Sequence, residues 1–272
     1  MASGTRQRLT VTPLPAALGA VVEGLSLDCT DDDLHGALGE ELRDAWAAHQ
    51  VLFFPRLGLT PTDQLRLARV FGARLAATTE TGGDYRNAPT LADEGFPELL
   101  RLDTAKGHRP AATAAWHTDV TFTEHPPIGS LFCMEVPAAS GGDTMWSNQL
   151  RAYERLSEPV QRLIGELSAV HGMPPRTTTA VHPMVGRHDV TGRPYLYVNR
   201  LWTRSVDGLS PLESRHLLAM LFEHAEQPEF QVRWRWSAGD AALWDNRCTM
   251  HYALSDYGTE HRSARRATIY AG

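Results

Sequence analysis

The sequence predicts a mainly β core with flanking helices, of the jelly-roll kind, rather than a parallel sheet built from βαβ units. Short apolar segments of strand length are spread through the whole chain, with only a few helical segments between them. The clearest alternation of apolar and polar residues, Phe230–Trp236, predicts a strand with one buried face. The chain has no internal repeat, low-complexity tract or clear linker, which predicts one domain over residues 1–272.

The first part of the chain combines short predicted strands with two predicted helices. An acidic turn precedes the first helix, and Thr60 followed by a proline is typical of the start of the second. In chain order we expect strands at Leu9–Leu14 and Ala20–Val22, a helix at Leu34–His49, a buried strand at Gln50–Pro55 and a helix from Pro61 to Phe71.

The second part of the chain is again mostly strands. A glycine-rich turn at Ser140–Thr144 leads into one of them. In chain order we expect strands at Gly129–Val136 and Met145–Trp146, an amphipathic helix at Leu150–Leu167, a strand at Arg193–Asn199, a helix at Leu212–His224 and strands at Phe230–Trp236 and Ala241–Trp244.

The composition is that of an ordinary globular protein, with 42% hydrophobic and 21% charged residues. The formal net charge of −6 argues against a nucleic-acid partner, which would require a basic surface. No apolar window is long enough for a membrane span, and residues 1–8 lack the apolar core of a signal peptide. Three scattered cysteines favour a cytoplasmic location.

His117 and Asp119 are separated by one residue, and a second candidate ligand, His251, lies far downstream. In an extended strand, residues i and i+2 point to the same face, so the two side chains can converge. Two imidazoles and one carboxylate form the facial triad that holds non-haem Fe(II) with open coordination positions. However, the chain contains 12 His and 32 acidic residues, so the same pattern also fits a surface turn or a polar strand.

Arginines cluster near the C-terminus at positions 262, 265 and 266. If Arg262 lies on a strand beside the one that ends at His251, its guanidinium can face the metal. A guanidinium offers two parallel donors to a carboxylate, such as the far carboxylate of a 2-oxo acid. The alternative is a solvated run of charges near the chain end.

Several further segments carry characteristic residues in a fixed order: Trp116–Phe122, Gly141–Thr144, Phe230–Trp236, Trp244–His251, Asp256–Tyr257 and Arg262–Thr268, after a fitting N-terminal region Leu9–Phe71. Over almost its whole length the chain resembles the taurine dioxygenase/TfdA family of Fe(II)- and 2-oxoglutarate-dependent dioxygenases. The resemblance implies a double-stranded β-helix, which is a jelly roll with helical additions.

The resemblance also implies an iron site and a reaction. His117, Asp119 and His251 match the family's iron ligands. The implied co-substrates are 2-oxoglutarate and dioxygen, which give succinate, carbon dioxide and an oxidised C–H bond of the primary substrate. Related halogenases lack the carboxylate ligand, so Asp119 favours hydroxylation. Desaturation or another oxidation of a larger substrate in specialised metabolism remains open.

Three further residues match binding positions of the family. Arg262 and Thr144 match the residues that bind the far carboxylate of 2-oxoglutarate. Arg266 matches a second arginine that binds the anionic end of the primary substrate in members acting on sulfonates, sulfate esters and aryloxyalkanoates. We therefore expect a small anionic substrate.

The substrate is not expected to be taurine. Two polar residues of taurine dioxygenase align with Ala77 and Glu80, and its asparagine aligns with Thr113, so polar donors are missing and burial of unpartnered polar groups is costly. The segment between His171 and His182 is also shorter than the family's usual lid, which suggests a more open pocket and a larger substrate.

The further candidates for substrate binding are Thr113, Val120, Arg176 and Trp202. Arg176 lies in the short lid, and Trp202 follows a predicted strand. Each has a simpler interpretation, since Arg176 fits an exposed loop and Trp202 fits a packed core.

Two other functional classes remain open at this point. The same three ligands can hold Zn in a jelly roll that hydrolyses or isomerises its substrate, although such an enzyme has no need of a 2-oxoglutarate site. The other class is a catalytically silent binding protein. The family commonly forms dimers or tetramers, so the resemblance implies a homo-oligomer.

Overall fold

The computed structural model describes residues 8–76, 89–106, 115–173 and 178–272. Its strands are β1 Thr10–Pro13, β2 Ala20–Glu23, β3 Val51–Phe54, β4 Arg74–Ala76, β5 Thr90–Leu91, β6 Phe96–Asp103, β7 Gly129–Val136, β8 Thr144–Asn148, β9 Ser168–Gly172, β10 Thr179–Pro183, β11 Val185–Arg187, β12 Pro194–Leu196, β13 Thr203–Val206, β14 Gln231–Trp234, β15 Ala241–Asp245, β16 Thr249–Ala253 and β17 Ser263–Tyr270. Its α-helices are α1 Asp31–His35, α2 Ala37–His49, α3 Pro61–Arg69, α4 Gln149–Glu154, α5 Glu158–Gly165 and α6 Pro211–Ala225.

Most strands belong to one large sheet and one small sheet. The large sheet has the order β1-β2-β3-β15-β7-β17-β6-β5, and β4 also pairs with β17. The small sheet has the order β14-β8-β16. Neighbouring strands are antiparallel except for the parallel pair β2–β3. The expected mainly β architecture with flanking helices is therefore confirmed.

The central strands of the large sheet are buried on both faces. In β3, Leu52 belongs to one apolar core and Phe53 to another. The same alternation occurs in β7, where Leu131 and Phe132 belong to different cores. Since successive side chains of a strand point to opposite faces, a sheet covered on both sides has continuous apolar strands instead of alternating ones.

An aromatic layer joins the two sheets. Trp146 of β8 lies 5.9 Å from Trp244 of β15 and 5.4 Å from Phe53 of β3, measured between ring centroids. Trp236 lies 6.3 Å from Trp146 in the same core. The small sheet thus packs face to face on the large sheet, as in a jelly roll.

The opposite face of the large sheet is covered by α2 and α3. Leu42 and Trp46 of α2 and Leu67 of α3 belong to the apolar core on that side. A separate core lies between α4, α6 and the smaller sheets, and it includes Leu218 and Leu221. Within the described ranges, no helix is long and apolar enough to cross a membrane.

Two predicted helices are each divided in the structure. The helix expected at Leu34–His49 is two helices, α1 and α2, which meet at Gly36. The helix expected at Leu150–Leu167 is also two helices, α4 and α5, which are separated by the extended Ser157; Pro159 lies in the first turn of α5, where no backbone N–H is needed. The strand expected at Phe230–Trp236 is only Gln231–Trp234, since Phe230 lies in a 3₁₀ turn.

Leu243 tests the double-sided burial of the large sheet, because it is fully buried in the central strand β15. Leu243→Ala should lower the free energy of unfolding by about 2–5 kcal/mol through lost burial and a cavity. Leu163→Ala, at a position 51% exposed on α5, should change it by about 0.5 kcal/mol or less. Urea denaturation measures both, and equal losses for the two variants would contradict the assignment of the core.

Candidate active site

Two imidazoles and one carboxylate meet inside the protein. His117, Asp119 and His251 are 3%, 3% and 6% exposed, and their candidate ligand atoms all lie within 4.8 Å of one another. His117 Nε2 is 3.7 Å from one carboxylate oxygen of Asp119, and His251 Nε2 is 3.9 Å from the other. This donor set suits a divalent metal of the Fe(II) type.

Backbone pairing brings these distant residues together. The His117 amide donates to the His251 carbonyl at 3.0 Å, and the His251 amide donates to the His117 carbonyl at 2.7 Å. The Thr118 hydroxyl adds a bond to the Thr249 carbonyl at 2.9 Å. His117 lies in this isolated bridge and Asp119 in a turn, so the segment is not the extended strand that we expected.

The protonation states of the histidines suit metal binding. Nδ1 of His117 is 2.8 Å from the Ala115 carbonyl, which can only accept, so Nδ1 carries the proton and the Nε2 lone pair is free. Burial lowers the pKa of His117, and it lowers the pKa of His251 to about 3, with the neighbouring His117 adding to the effect. Both imidazoles are therefore neutral at physiological pH.

Asp119 stays ionised although it is buried. Burial by itself raises the pKa of this carboxyl, but the charge and hydrogen bond of Arg266 together with the neighbouring His251 and His117 outweigh it, and the pKa is lowered to about 2. Arg266 lies on β17, and its Nη1 donates to both Asp119 oxygens at 3.2 and 3.0 Å. Its Nε is buried without a hydrogen-bond partner among the described residues. Arg266 therefore contacts the candidate metal site directly and retains donor capacity.

Arg262 is a buried cation without an anionic partner in the described part of the chain. It is 8% exposed, burial lowers its pKa, and its Nε has no hydrogen-bond partner there. The guanidinium carbon lies 5.6 Å from the centroid of the Phe132 ring and 5.7 Å from that of Tyr257. Because an unpaired buried charge is costly, this position is suited to bind the carboxylate of a ligand.

A glycine turn directs the start of β8 towards this guanidinium. Gly142 has φ +72°, and a Cβ there would lie 3.4 Å from Arg262 Nε. Asp256 fixes the turn by accepting a hydrogen bond from the Gly142 amide at 2.7 Å. Two residues on, the Thr144 hydroxyl accepts a bond from the Trp236 indole at 3.0 Å. Glycine at position 142 thus avoids a close contact between a side chain and the Arg262 guanidinium.

The remaining substrate-binding candidates are only partly described. Val120 and Trp202 are 2% and 6% exposed and belong to one small apolar core with Phe122. The rings of Trp202 and Phe122 are 4.9 Å apart in an edge-to-face arrangement. The structure therefore places both candidates in a packed cluster that begins directly after Asp119. Thr113 and Arg176 lie outside the described residues, as do Ala77 and Glu80.

A second group of ligand-type side chains, which sequence reasoning missed, consists of His188, Asp245 and Cys248. It is a structural network, because His188 Nε2 and the Arg247 guanidinium already bond the Asp245 carboxylate. His188 Nδ1 accepts from the amides of residues 190 and 191, so neither ring nitrogen is free for a metal. Cys248 is fully buried, and burial raises the pKa of its thiol. In the sequence, this second group could have been recognised from the polar residues that follow the apolar strand β15.

The fold and the site together define a class of protein. A jelly roll that buries two histidines and one carboxylate, with arginines beside them, has the architecture of a non-haem iron oxygenase. Arg262, which has no anionic partner among the described residues, offers a position that suits a carboxylate.

Comparison with known proteins identifies the family. Residues 10–268 match the family model "Taurine catabolism dioxygenase TauD, TfdA family", and the chain belongs to this family. It is 36% identical to an α-ketoglutarate-dependent sulfate ester dioxygenase of Pseudomonas putida, covering 96% of this chain and 89% of the relative. It is 33% identical to an alkylsulfatase of Acinetobacter baylyi, covering 97% and 85%.

Solved structures agree with this assignment. A taurine dioxygenase from Burkholderia xenovorans superimposes with a TM-score of 0.83 at 33% identity, over 97% of this chain and 90% of that one. The predicted jelly-roll fold is therefore confirmed. The chain is an oxidoreductase, a 2-oxoglutarate-dependent dioxygenase, and the alternative of a silent binding protein is set aside.

The two groups of ligand-type side chains should differ in metal binding. We expect His117→Ala to abolish binding of one divalent ion per chain, because it removes one of three ligands. Cys248→Ser should retain one ion, because its neighbours are already satisfied by one another. Equilibrium dialysis against Mn(II) with elemental analysis measures the stoichiometry. Loss of the ion from Cys248→Ser, or its retention by His117→Ala, would contradict the assignment.

Proposed function

We propose that this single-domain protein, residues 1–272, is an Fe(II)- and 2-oxoglutarate-dependent hydroxylase of sulfate esters. His117, Asp119 and His251 hold the iron, and their buried, convergent geometry supports this role. The observation that carries the proposal is the pair of buried arginines, of which Arg262 has no anionic partner among the described residues and Arg266 contacts Asp119. They give the site one position for each of two anionic reactants.

The chemistry that Fe(II) supplies when bound is the activation of dioxygen, with one oxygen atom going to the substrate and one to succinate as 2-oxoglutarate loses CO₂. The protein's own part is to position the reactants and exclude water. Arg262 and Thr144 bind the far carboxylate of 2-oxoglutarate, and the rings of Phe132 and Tyr257 beside Arg262 keep that contact dry.

Arg266 binds the anionic head of the substrate. One of its terminal nitrogens is engaged by Asp119, while its buried Nε has no hydrogen-bond partner among the described residues. Because a guanidinium has five N–H donors, it can hold Asp119 and an external anion together. We assign Thr113, Val120, Arg176 and Trp202 to the wall of the substrate pocket.

The proposed substrate class follows from the names of the relatives. The Pseudomonas relative is a sulfate ester dioxygenase and the Acinetobacter relative an alkylsulfatase. Hydroxylation of the carbon that carries the sulfate oxygen gives a hemiacetal sulfate, whose C–O bond breaks to release an aldehyde and sulfate. Both oxygen atoms of dioxygen are then accounted for, in the aldehyde and in succinate.

We also propose a cytoplasmic location. Its support is that Cys29, Cys133 and Cys248 are all unpaired thiols, and that two of them are buried. The homo-oligomer implied by the family resemblance stays a prediction.

The substrate class can be tested by measuring succinate formed from 2-oxoglutarate and Fe(II) with alkyl sulfates, alkyl sulfonates, aryloxyalkanoates and taurine. We expect alkyl sulfates to stimulate succinate formation most, with one sulfate released per succinate. Taurine serves as the matched small-molecule control and should stimulate succinate formation only slightly. Stimulation by sulfonates or aryloxyalkanoates alone would contradict the proposed class but leave the dioxygenase chemistry intact.

The division of labour between the two arginines predicts different kinetic defects. Arg262→Ala should raise the KM for 2-oxoglutarate at least about 10-fold, since a charge-assisted hydrogen bond contributes roughly 1.5–3 kcal/mol. Arg266→Ala should raise the KM of the primary substrate by a similar factor and leave 2-oxoglutarate binding nearly unchanged.

Arg265→Ala is the matched control for these variants. Arg265 is equally buried on the same strand, but it pairs with Glu135 and the Leu59 carbonyl. The Arg265→Ala variant should lower the free energy of unfolding and leave both KM values unchanged. An equal loss of affinity for both reactants in Arg266→Ala would refute the division of roles.

A further inference from the structure

Asn246 contacts the backbone of Asp119 at both of its polar groups. The Asn246 side chain is completely buried. Its Oδ1 accepts from the Asp119 amide at 2.8 Å, and its Nδ2 donates to the Asp119 carbonyl at 3.0 Å. Nδ2 also donates to the Pro127 carbonyl at 2.9 Å. The side-chain amide therefore pairs with the backbone of residue 119 through one accepted and one donated hydrogen bond, as a neighbouring strand would.

The next residue in the chain explains why such a contact is needed. Val120 has φ +59°, a left-handed conformation that a β-branched residue rarely adopts. Local strain of this kind persists only where the surroundings hold it in place. The Val120 carbonyl is held by the amide and the hydroxyl of Thr123, at 3.2 and 2.9 Å. On the other side of Val120, Asn246 holds the backbone amide and carbonyl of Asp119.

Asn246 is itself fixed in place. It lies in the turn between β15 and β16, and its amide donates to the Ile128 carbonyl at 2.9 Å. The preceding residue, Asp245, is bonded by His188 and by Arg247. The strand that follows the turn carries His251. One rigid turn thus sets the backbone positions of both His251 and Asp119.

We propose that Asn246 is a positioning residue for the metal site, which orients the Asp119 carboxylate by holding its backbone against the left-handed Val120. This inference rests on the proposed role of Asp119 as a metal ligand. Only a side-chain amide meets the requirement, because one acceptor and two donors are needed at this position. Alanine leaves two buried backbone groups of Asp119 unsatisfied, and the strained turn is then free to relax.

The test is a Co(II) titration of the full-length protein, followed by the visible absorption of the bound ion. Asn246→Ala should raise the Co(II) dissociation constant about 10–100-fold, the range found for residues that orient metal ligands. It should also shift the absorption bands, because the geometry around the ion changes. A loss of stability alone would not produce that shift.

Asn148→Ala is the matched control. Asn148 is also buried, donates to the Ala17 carbonyl and to Gln50, and accepts from the Arg151 amide, with no bond to Asp119. It should destabilise the protein to a similar degree and leave the Co(II) dissociation constant within about 2-fold of wild type. Equal dissociation constants in wild type and Asn246→Ala, or equal changes in both variants, would overturn the proposal.

A second pair of variants covers the case in which Asn246→Ala does not fold. Val120→Gly removes the cost of the left-handed backbone. Because Val120→Gly does not replace the two hydrogen bonds that Asn246 makes with the Asp119 backbone, the double variant Val120→Gly/Asn246→Ala should still bind Co(II) at least about 10-fold more weakly than Val120→Gly. Equal binding by these two would refute the role of Asn246. Absence of Co(II) binding by the wild type would instead refute the metal site itself, and the inference with it.

Discussion

The active site depends on the backbone pairing between His117 and His251. Two hydrogen bonds join these residues, and through them the segment after Trp116 is attached to β16. Since β16 is itself paired with β8, the position of His117 is fixed by the small sheet. A single bridge fixes the backbone of fewer residues than a full strand would. It therefore leaves the following residues free to turn, which brings Asp119 back towards the two imidazoles.

Electrostatic balance is the second constraint. The interior of the site holds the carboxylate of Asp119 and the guanidinium groups of Arg262 and Arg266. Arg266 and Asp119 neutralise each other, whereas Arg262 has no counter-charge in the described residues. An uncompensated buried charge costs several kcal/mol, and the protein recovers this cost only when an anion arrives. In the proposed role of Arg262, the same imbalance that lowers the stability of the free enzyme favours binding of a carboxylate co-substrate.

The sequence predicts those features that depend on local pattern or on a family motif. Apolar runs such as Val51–Phe54 predict buried strands, and the motif residues indicate the site. Other features depend on contacts between distant segments, and no local pattern encodes them. The left-handed Val120 looks like an ordinary strand residue in the sequence, and the contact between Arg266 and Asp119 joins segments that are far apart in the chain. Asn246 belongs to the Trp244–His251 motif, yet its bonds to Asp119 depend on the folded chain and are not encoded by any local pattern.

In the proposed function, Arg266 links substrate binding to the metal site. In its proposed role it receives the substrate anion while one of its terminal nitrogens contacts both oxygens of Asp119. A substrate anion at the same guanidinium would share its positive charge with Asp119 and weaken the ion pair between Arg266 and Asp119. The Asp119 carboxylate would then be a stronger donor to a bound metal when the substrate is in place. A single arginine would in this way make the reactivity of the site depend on the presence of the substrate, which would limit oxidation in its absence.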